Sequence, residues 1–406
     1  MVTGVSQEDD LPIDVGYLRR LLEEMIKIPS VVGEEKTLAI FLEEEVKKLG
    51  LQTELERVEF ERFNLYAVRS FHERGKTLTF NGHLDTVESC SGWETDPFSP
   101  MLRGQELYGL GSLDMKSGLA CELAAIKALV NSNLELVGTI HFTAVVDEEG
   151  YGKGARKMLH NPSFGKGRTD GILIAEPFFG DNETNALPLG MTGKVLYKIT
   201  IHGRSAHAFT PAKGINAIDV AGKIIANMQE QLDSPSKKRL FVLPSDNAFG
   251  SGTMCFLKVV GGYKVYSVVV PDRCELILNR LLVPGETKES ALKDIQEFLL
   301  QLDLPAEVTL EIVPPFYVPY KLPQTTPLVA SLAKSYQAIF DFPPQFNYRK
   351  MITDANIFYG EGKIPTVLFG PKGGNIHAAN EYVDLSLLSA IAQIYCQLFL
   401  SFQKQI

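Results

Sequence analysis

Two histidines and a scatter of carboxylates in this chain have the types and spacing that metal-assisted chemistry needs. His83 and Asp85 stand in Asn81-Gly82-His83-Leu84-Asp85-Thr86, at the end of the apolar stretch TLTFNGH (77–83). A neutral imidazole is a metal ligand, and a carboxylate two residues on faces the same way if the strand continues, where it fixes the ring tautomer. A plain His–Asp hydrogen bond at a strand end fits the same letters. Asp114 closes Gly109-Leu110-Gly111-Ser112-Leu113-Asp114 just ahead of a helix. It suits a ligand or a bridge between ions, and equally a helix N-cap. Asp147-Glu148-Glu149-Gly150 follows TIHFTAVV. Three consecutive acids repel one another unless they are solvated in a turn or face cations. Glu176 ends GILIA before Pro177, and an acid there needs a salt-bridge or metal partner. His377 lies after Gly373-Gly374, glycines that permit a tight loop aiming an imidazole inward, or a purely structural histidine.

Each group alone has a structural reading. Together they fall at the C-terminal ends of apolar strands, the edge where open α/β sheets build their sites. Two His and several carboxylates with no Cys suit two divalent ions of the zinc type. A shared carboxylate can hold such ions roughly 3.5–4 Å apart with a water between them, and a free carboxylate beside that water can act as general base.

The elements that must carry these groups are legible in the apolar pattern. Leu18, Leu21, Leu22, Met25 and Ile26 have helical spacing before Pro29, and Leu38, Phe41, Leu42 and Val46 repeat it before Gly50. The stretches 77–83, 139–147, 171–176 and 366–370 read as buried strands, and 115–130 reads as a helix. Such alternation predicts an α/β fold with a mainly parallel sheet. Residues 191–314 differ, reading β-α-β-β-α-β, the order of a ferredoxin-like α+β unit. The expected organisation is therefore a catalytic domain in two parts, 1–190 and 315–406, with 191–314 inserted.

Composition narrows the function classes. The chain has 406 residues, 45% of them hydrophobic and 22% charged, with a net charge of −9. That is ordinary for a globular protein, and a broad basic face for nucleic acid is not expected. No run approaches 18 apolar residues, so no membrane span is expected. The start, MVTGVSQEDDLPID, has neither the basic nor the apolar region of a secretory signal. Five scattered cysteines form no Cys-x-x-Cys pair. A reduced, cytoplasmic setting is the expectation.

His83-Leu84-Asp85-Thr86-Val87, Gly109 to Lys116, Asp147 to Gly150, Ala175-Glu176-Pro177 and Asn375 to Val383, in this order, resemble the M20 metallopeptidase and deacylase family over nearly the whole chain. The resemblance implies a zinc-hydrolase catalytic domain with an inserted lid that often dimerises. It implies two Zn2+, with Co2+ or Mn2+ as alternatives: one held by His83 and Glu176, the other by Glu149 and His377, with Asp114 bridging. Glu148 would be the general base, Asp85 would orient His83, and the peptide after Asp114 would be cis. His207, in Gly203-Arg204-Ser205-Ala206-His207, would stabilise the tetrahedral oxyanion, in several relatives from across a dimer. Arg280 would grip a substrate carboxylate, a task for bidentate guanidinium geometry, and a surface strand arginine is its plain alternative. Thr353-Asp354-Ala355 resembles a further family segment near the site. The implied reaction is hydrolysis of a small N-acyl amino acid, of deacetylase or desuccinylase type, by a homodimer. An exopeptidase acting on a dipeptide or short peptide is the alternative.

Overall fold

Thr77–His83 sits inside a six-stranded sheet because nearly all its side chains are apolar or small and can be covered on both faces. The order across the sheet is Gln52–Glu59, Arg62–His72, Gly138–Val145, Thr77–His83, Gly171–Ile174, Thr366–Leu368. The last four strands pair in parallel, and the first two are antiparallel. That antiparallel pair was not anticipated: its first strand, QTELERVE, is half charged and only partly buried, so it offers no apolar run. The computed structural model describes residues 11–72, 75–177, 186–233, 243–265 and 267–404; most of the N-terminal stretch read above lies outside them.

The chain divides into two units. The first comprises 1–189, 322–347 and 353–406, and contains the six-stranded sheet. Its helices are α1 (Val15–Ile26), α2 (Lys36–Lys48), α3 (Ser117–Val130) and α4 (Lys153–Leu159), followed beyond the second unit by α7 (Pro327–Phe340) and α8 (Leu388–Gln403). Along α1 the buried residues are the predicted stripe, and Asp14 caps the helix by accepting from the Tyr17 N–H at 2.9 Å. The segment Leu385–Gln403 is long and apolar enough to cross a membrane by length and composition, contrary to the reading from apolar runs. Ser389, Gln393, Gln397 and Ser401 interrupt it every fourth residue, so no unbroken run exists. That stripe stays partly exposed, while Leu388, Ile391, Tyr395 and Phe399 are buried and the helix packs on α3 and α7 as a core helix.

The second unit comprises 190–321 with 348–352. Within it, strands Gly193–His202, Thr253–Gly261, Arg273–Leu282 and Glu307–Tyr317 alternate with α5 (Ala217–Asp233) and α6 (Lys288–Gln301) in the order β-α-β-β-α-β. The sheet runs second, third, first, fourth strand, all antiparallel. Val195, Tyr197, Ile199 and Ile201 interlock with α5 and with Ala291, Ile295 and Phe298 of α6. The unit reaches past 314 because the last strand runs to Tyr317 and Tyr320–Lys321 pairs with Gly190–Met191. It takes in 348–352 because Thr192 bonds to the carbonyls of Arg349 and Met351.

Glu122 is an anomaly in the first unit. It is fully buried in α3, and neither carboxylate oxygen finds a hydrogen-bond partner among the described residues. Burial pushes its carboxyl well above the usual range, and the Asn81 backbone offsets little of this. The folded state therefore keeps Glu122 protonated while the unfolded chain ionises it. Stability is unaffected below the ordinary carboxylate pKa. It falls by about 1.4 kcal/mol per pH unit above it, until the folded group ionises. Glu122→Gln should melt higher than the wild type at pH 7–8, with the advantage shrinking towards pH 4. A pH-independent difference in thermal melts would contradict this.

Candidate metal centre

Each group of the site is delivered by a local feature. His83 is the last residue of its strand, and Glu148 and Glu149 follow the neighbouring strand that ends at Val145. Glu176 comes two residues after Gly171–Ile174. Asp114 does not sit at a strand end of the large sheet; it belongs to the turn Ser112–Lys116 that opens α3, and its peptide to Met115 is cis. Gly118, in the first turn of α3, lets that helix approach Ala175: a Cβ there would lie 2.2 Å from the Ala175 carbonyl oxygen. His377 occupies a loop turned by positive φ at Asn375 (60°), His377 itself (57°) and Asn380 (61°). The Asn375 side-chain amide braces it by donating to the Asn380 carbonyl at 2.9 Å.

The fold brings six of these groups together. His83 Nε2 lies 3.1 Å from Asp114 Oδ1 and 3.6 Å from Glu176 Oε1. His377 Nε2 lies 3.3 Å from Asp114 Oδ2 and 2.7 Å from Glu149 Oε1. Asp114 thus turns one oxygen to each imidazole. Two triads result, His83–Asp114–Glu176 and Asp114–Glu149–His377, each offering ligand atoms within 4.8 Å of one another. Glu148 joins a third such group with His83 and Glu149.

The electrostatics call for added positive charge. Four carboxylates converge on two imidazoles, and among the described residues no Lys or Arg forms an ion pair with any of the four. Burial opposes charge on His83, but Asp114, Glu176 and Asp85 outweigh it and raise its pKa. His377 is pushed up to about 10 by its hydrogen bonds to Asp114 and Glu149. Burial, with the field of neighbouring acids, drives Glu148 and Glu176 well above the carboxylate range. Nitrogen and oxygen donors in this number, short of cations, fit two divalent ions.

Asp85 takes a different part from the one expected. The strand ends at His83, so the two side chains do not continue a shared face. His83 Nδ1 donates instead to the Asp85 backbone carbonyl at 2.8 Å, leaving Nε2 free to ligate. The Asp85 carboxylate, 3.8 Å from the ring, accepts from the backbone N–H groups of Glu148 (3.2 Å) and Glu149 (2.9 Å).

Arg280 is corrected outright. On strand Arg273–Leu282 it falls in the inward row with Leu276, Leu278 and Leu282, facing α6, and it is fully buried. Its guanidinium donates to Glu286 Oε1 (2.5 Å) and the Ala291 carbonyl (3.1 Å), and pairs in charge with Asp294, 2.8 Å from its Oδ2. With those partners it is a strut of the second unit rather than a grip for substrate. His207, also in the second unit, is exposed; its Nδ1 accepts from the Phe209 N–H at 3.2 Å, which makes Nε2–H the free donor.

One support of the site was not read from the sequence, and a second, Asp354, stood there only within a family-like segment. Arg62 holds Glu35 by two bonds and donates to Asp147 Oδ1 at 2.9 Å. Asp147 Oδ2 in turn accepts from the Tyr151 (3.1 Å) and Lys153 (3.3 Å) N–H groups, pinning the turn that carries Glu148 and Glu149. No local spacing links residues 35, 62 and 147. Asp354 is buried, its Oδ1 has no hydrogen-bond partner among the described residues, its carboxyl is pushed up to about 7 chiefly by burial, and its field raises Glu148 and Glu176.

A mixed sheet with a cluster of this kind at the ends of its parallel strands defines a metal-dependent hydrolase class. The profile of peptidase family M20/M25/M40 matches residues 79–401, and the chain belongs to that family. It is 28% identical to a succinyl-diaminopimelate desuccinylase of Sulfurimonas denitrificans over 82% of this chain and 86% of that one. It is also 28% identical to an acetylornithine deacetylase of Buchnera aphidicola subsp. Schizaphis graminum over 94% of this chain and 97% of that one. A Bacillus subtilis crystal structure described as a dinuclear metal-binding peptidase of the M20 family superposes with a TM-score of 0.71 at 16% identity, covering 97% of this chain and 99% of that one.

Proposed function

We propose that this protein hydrolyses the amide bond of a small N-acyl amino acid, releasing a carboxylic acid and a free amine. The observation that carries the reading is the pair of triads sharing Asp114, with Glu148 beside them. The names of the sequence relatives, desuccinylase and deacetylase, favour an acyl amino acid over a peptide.

In this reading His83, Asp114 and Glu176 hold one ion, and Asp114, Glu149 and His377 the other. Zinc is the proposed metal, since imidazole and carboxylate donors without thiolate suit it. When bound, such ions polarise a carbonyl and lower the pKa of water. Asp85 orients His83 through its carbonyl and holds Glu148 and Glu149 through its carboxylate. Glu148 takes the proton released as a water oxygen bonds to the amide carbon. It then delivers that proton to the departing nitrogen as the C–N bond breaks, so water is added across the bond. His207 Nε2–H is the proposed donor to the oxyanion formed in between.

Metal analysis should find about two ions per chain. A panel of acetyl- and succinyl-amino acids should be turned over, and a matched panel of dipeptides should not. Cleavage of dipeptides alone would replace the deacylase reading with the exopeptidase one, and absence of metal would remove both.

The proposed assembly is a homodimer through the second unit. Thr253–Gly261 is an edge strand of its sheet and leaves Leu257, Val259 and Val260 about half exposed. An unpaired apolar edge of this kind is a template for a second copy. Sedimentation equilibrium should report twice the 44.9 kDa chain mass; a monomer at micromolar concentration would refute the dimer. A cytoplasmic setting completes the reading, supported by five cysteines that are all free, two of them exposed.

A further inference from the structure

One carboxylate outside the proposed ligand set is tied to Asp114 more closely than any ligand is. Strand Tyr382–Asp384 pairs antiparallel with Glu106–Tyr108, Tyr382 opposite Tyr108. That register lays Glu381 alongside the loop that continues from Tyr108 to Asp114, and the Gly109 N–H donates to the Glu381 carbonyl at 3.0 Å. The buried Glu381 side chain turns back into the same loop. Its Oε1 accepts from the N–H groups of Leu113 (2.8 Å) and Asp114 (2.9 Å), and its Oε2 from Gly111 N–H (2.8 Å). Gly111 has a left-handed φ of 74°, and a Cβ there would lie 2.6 Å from Thr86 Cγ2. The loop therefore bends tightly enough to aim three N–H groups at one carboxylate.

From this geometry we infer that Glu381 is a positioning residue for the bridging ligand: it fixes the backbone of Asp114 so that one oxygen serves each ion. The inference rests on the dinuclear reading above. A carboxylate is the one side chain whose two oxygens can accept all three bonds, because it has no donor of its own. In Glu381→Gln the amide nitrogen must face at least one of these N–H groups, and the loop must shift. Since Asp114 faces both imidazoles, a shifted Asp114 weakens both ions at once. Loss of His377 would weaken only one.

The test is Zn2+ competition against a chromophoric chelator, using the full chain and comparing wild type, Glu381→Gln, Glu381→Asp and His377→Ala, with thermal melts of each metal-free protein. Glu381→Gln should bind both ions about 10–100-fold more weakly, the usual effect of losing an outer support of a metal site. Glu381→Asp keeps the charge but shortens the reach, and should show the same joint loss. His377→Ala should lose affinity for one ion. Lower melting with unchanged affinity for both ions would make Glu381 merely structural and overturn the inference. A fall confined to one ion would overturn it as well. If the wild-type chain itself took up no pair of ions, the dinuclear reading would fail, and this inference with it.

Discussion

Glu148→Gln should lower kcat by about 10²–10⁴-fold while leaving two ions bound and KM close to the wild-type value. That loss is the usual share of a general acid–base group, about 3–5 kcal/mol of barrier. The side chain has the freedom its proposed role needs. Its backbone N–H is held by Asp85, but no hydrogen bond or ion pair of its carboxylate appears among the described contacts, whereas Glu149 is bonded to His377. Glutamine keeps the shape and loses the ability to carry a proton. A general base must be ionised to accept a proton, so the wild-type rate should rise with pH as Glu148 loses its own. That acid limb should disappear from the residual activity of the variant. Steady-state kinetics with metal analysis on the same sample decides the matter. Full activity would show that the proton is carried elsewhere, and loss of metal would show Glu148 to be a ligand.

Arg62→Met should destabilise the first unit by about 3–5 kcal/mol, the cost of leaving buried charges without their partner. The Arg62 side chain is 9% exposed, and those of Glu35 and Asp147 are 0% and 1% exposed. Removing the guanidinium strands two carboxylates where water cannot solvate them. The effect should extend to the site, because Asp147 no longer pins the turn that carries Glu148 and Glu149. Urea denaturation should show the loss of stability, and kcat should fall with it at temperatures where the variant remains folded. Replacing Glu35 by Gln in the same chain should recover part of the stability, since one of the two stranded charges is then gone. A variant as stable as the wild type would mean that water or a rearranged neighbour satisfies the pair.

Much of the centre was legible because metal chemistry restricts residue type, and because apolar strands announce where their ends fall. His83, Glu148, Glu149 and Glu176 follow directly from that logic. Asp114 was read just ahead of a helix, where it does lie, but its grouping with the strand ends was mistaken. Arg280 was placed by its resemblance to a family arginine, and a motif match does not say which face of its strand meets the helices. The first strand of the large sheet was missed because an edge strand needs no apolar run. The membrane-length helix was missed because a polar residue every fourth position hides its average.

Local order in the chain was thus enough to set the donor types, the parallel strands of the large sheet and the β-α-β-β-α-β segment, since each depends on neighbours a few residues apart. Tertiary structure alone settled which atom meets which. It made the Asp85 carbonyl, not its carboxylate, the partner of the His83 ring. It turned one Asp114 oxygen to His83 and the other to His377, and it brought Glu381 to Asp114 from 267 residues away. Such contacts depend on strand register and loop curvature, which arise only when distant segments pack, and one residue's slip along a strand would turn each side chain to the opposite face.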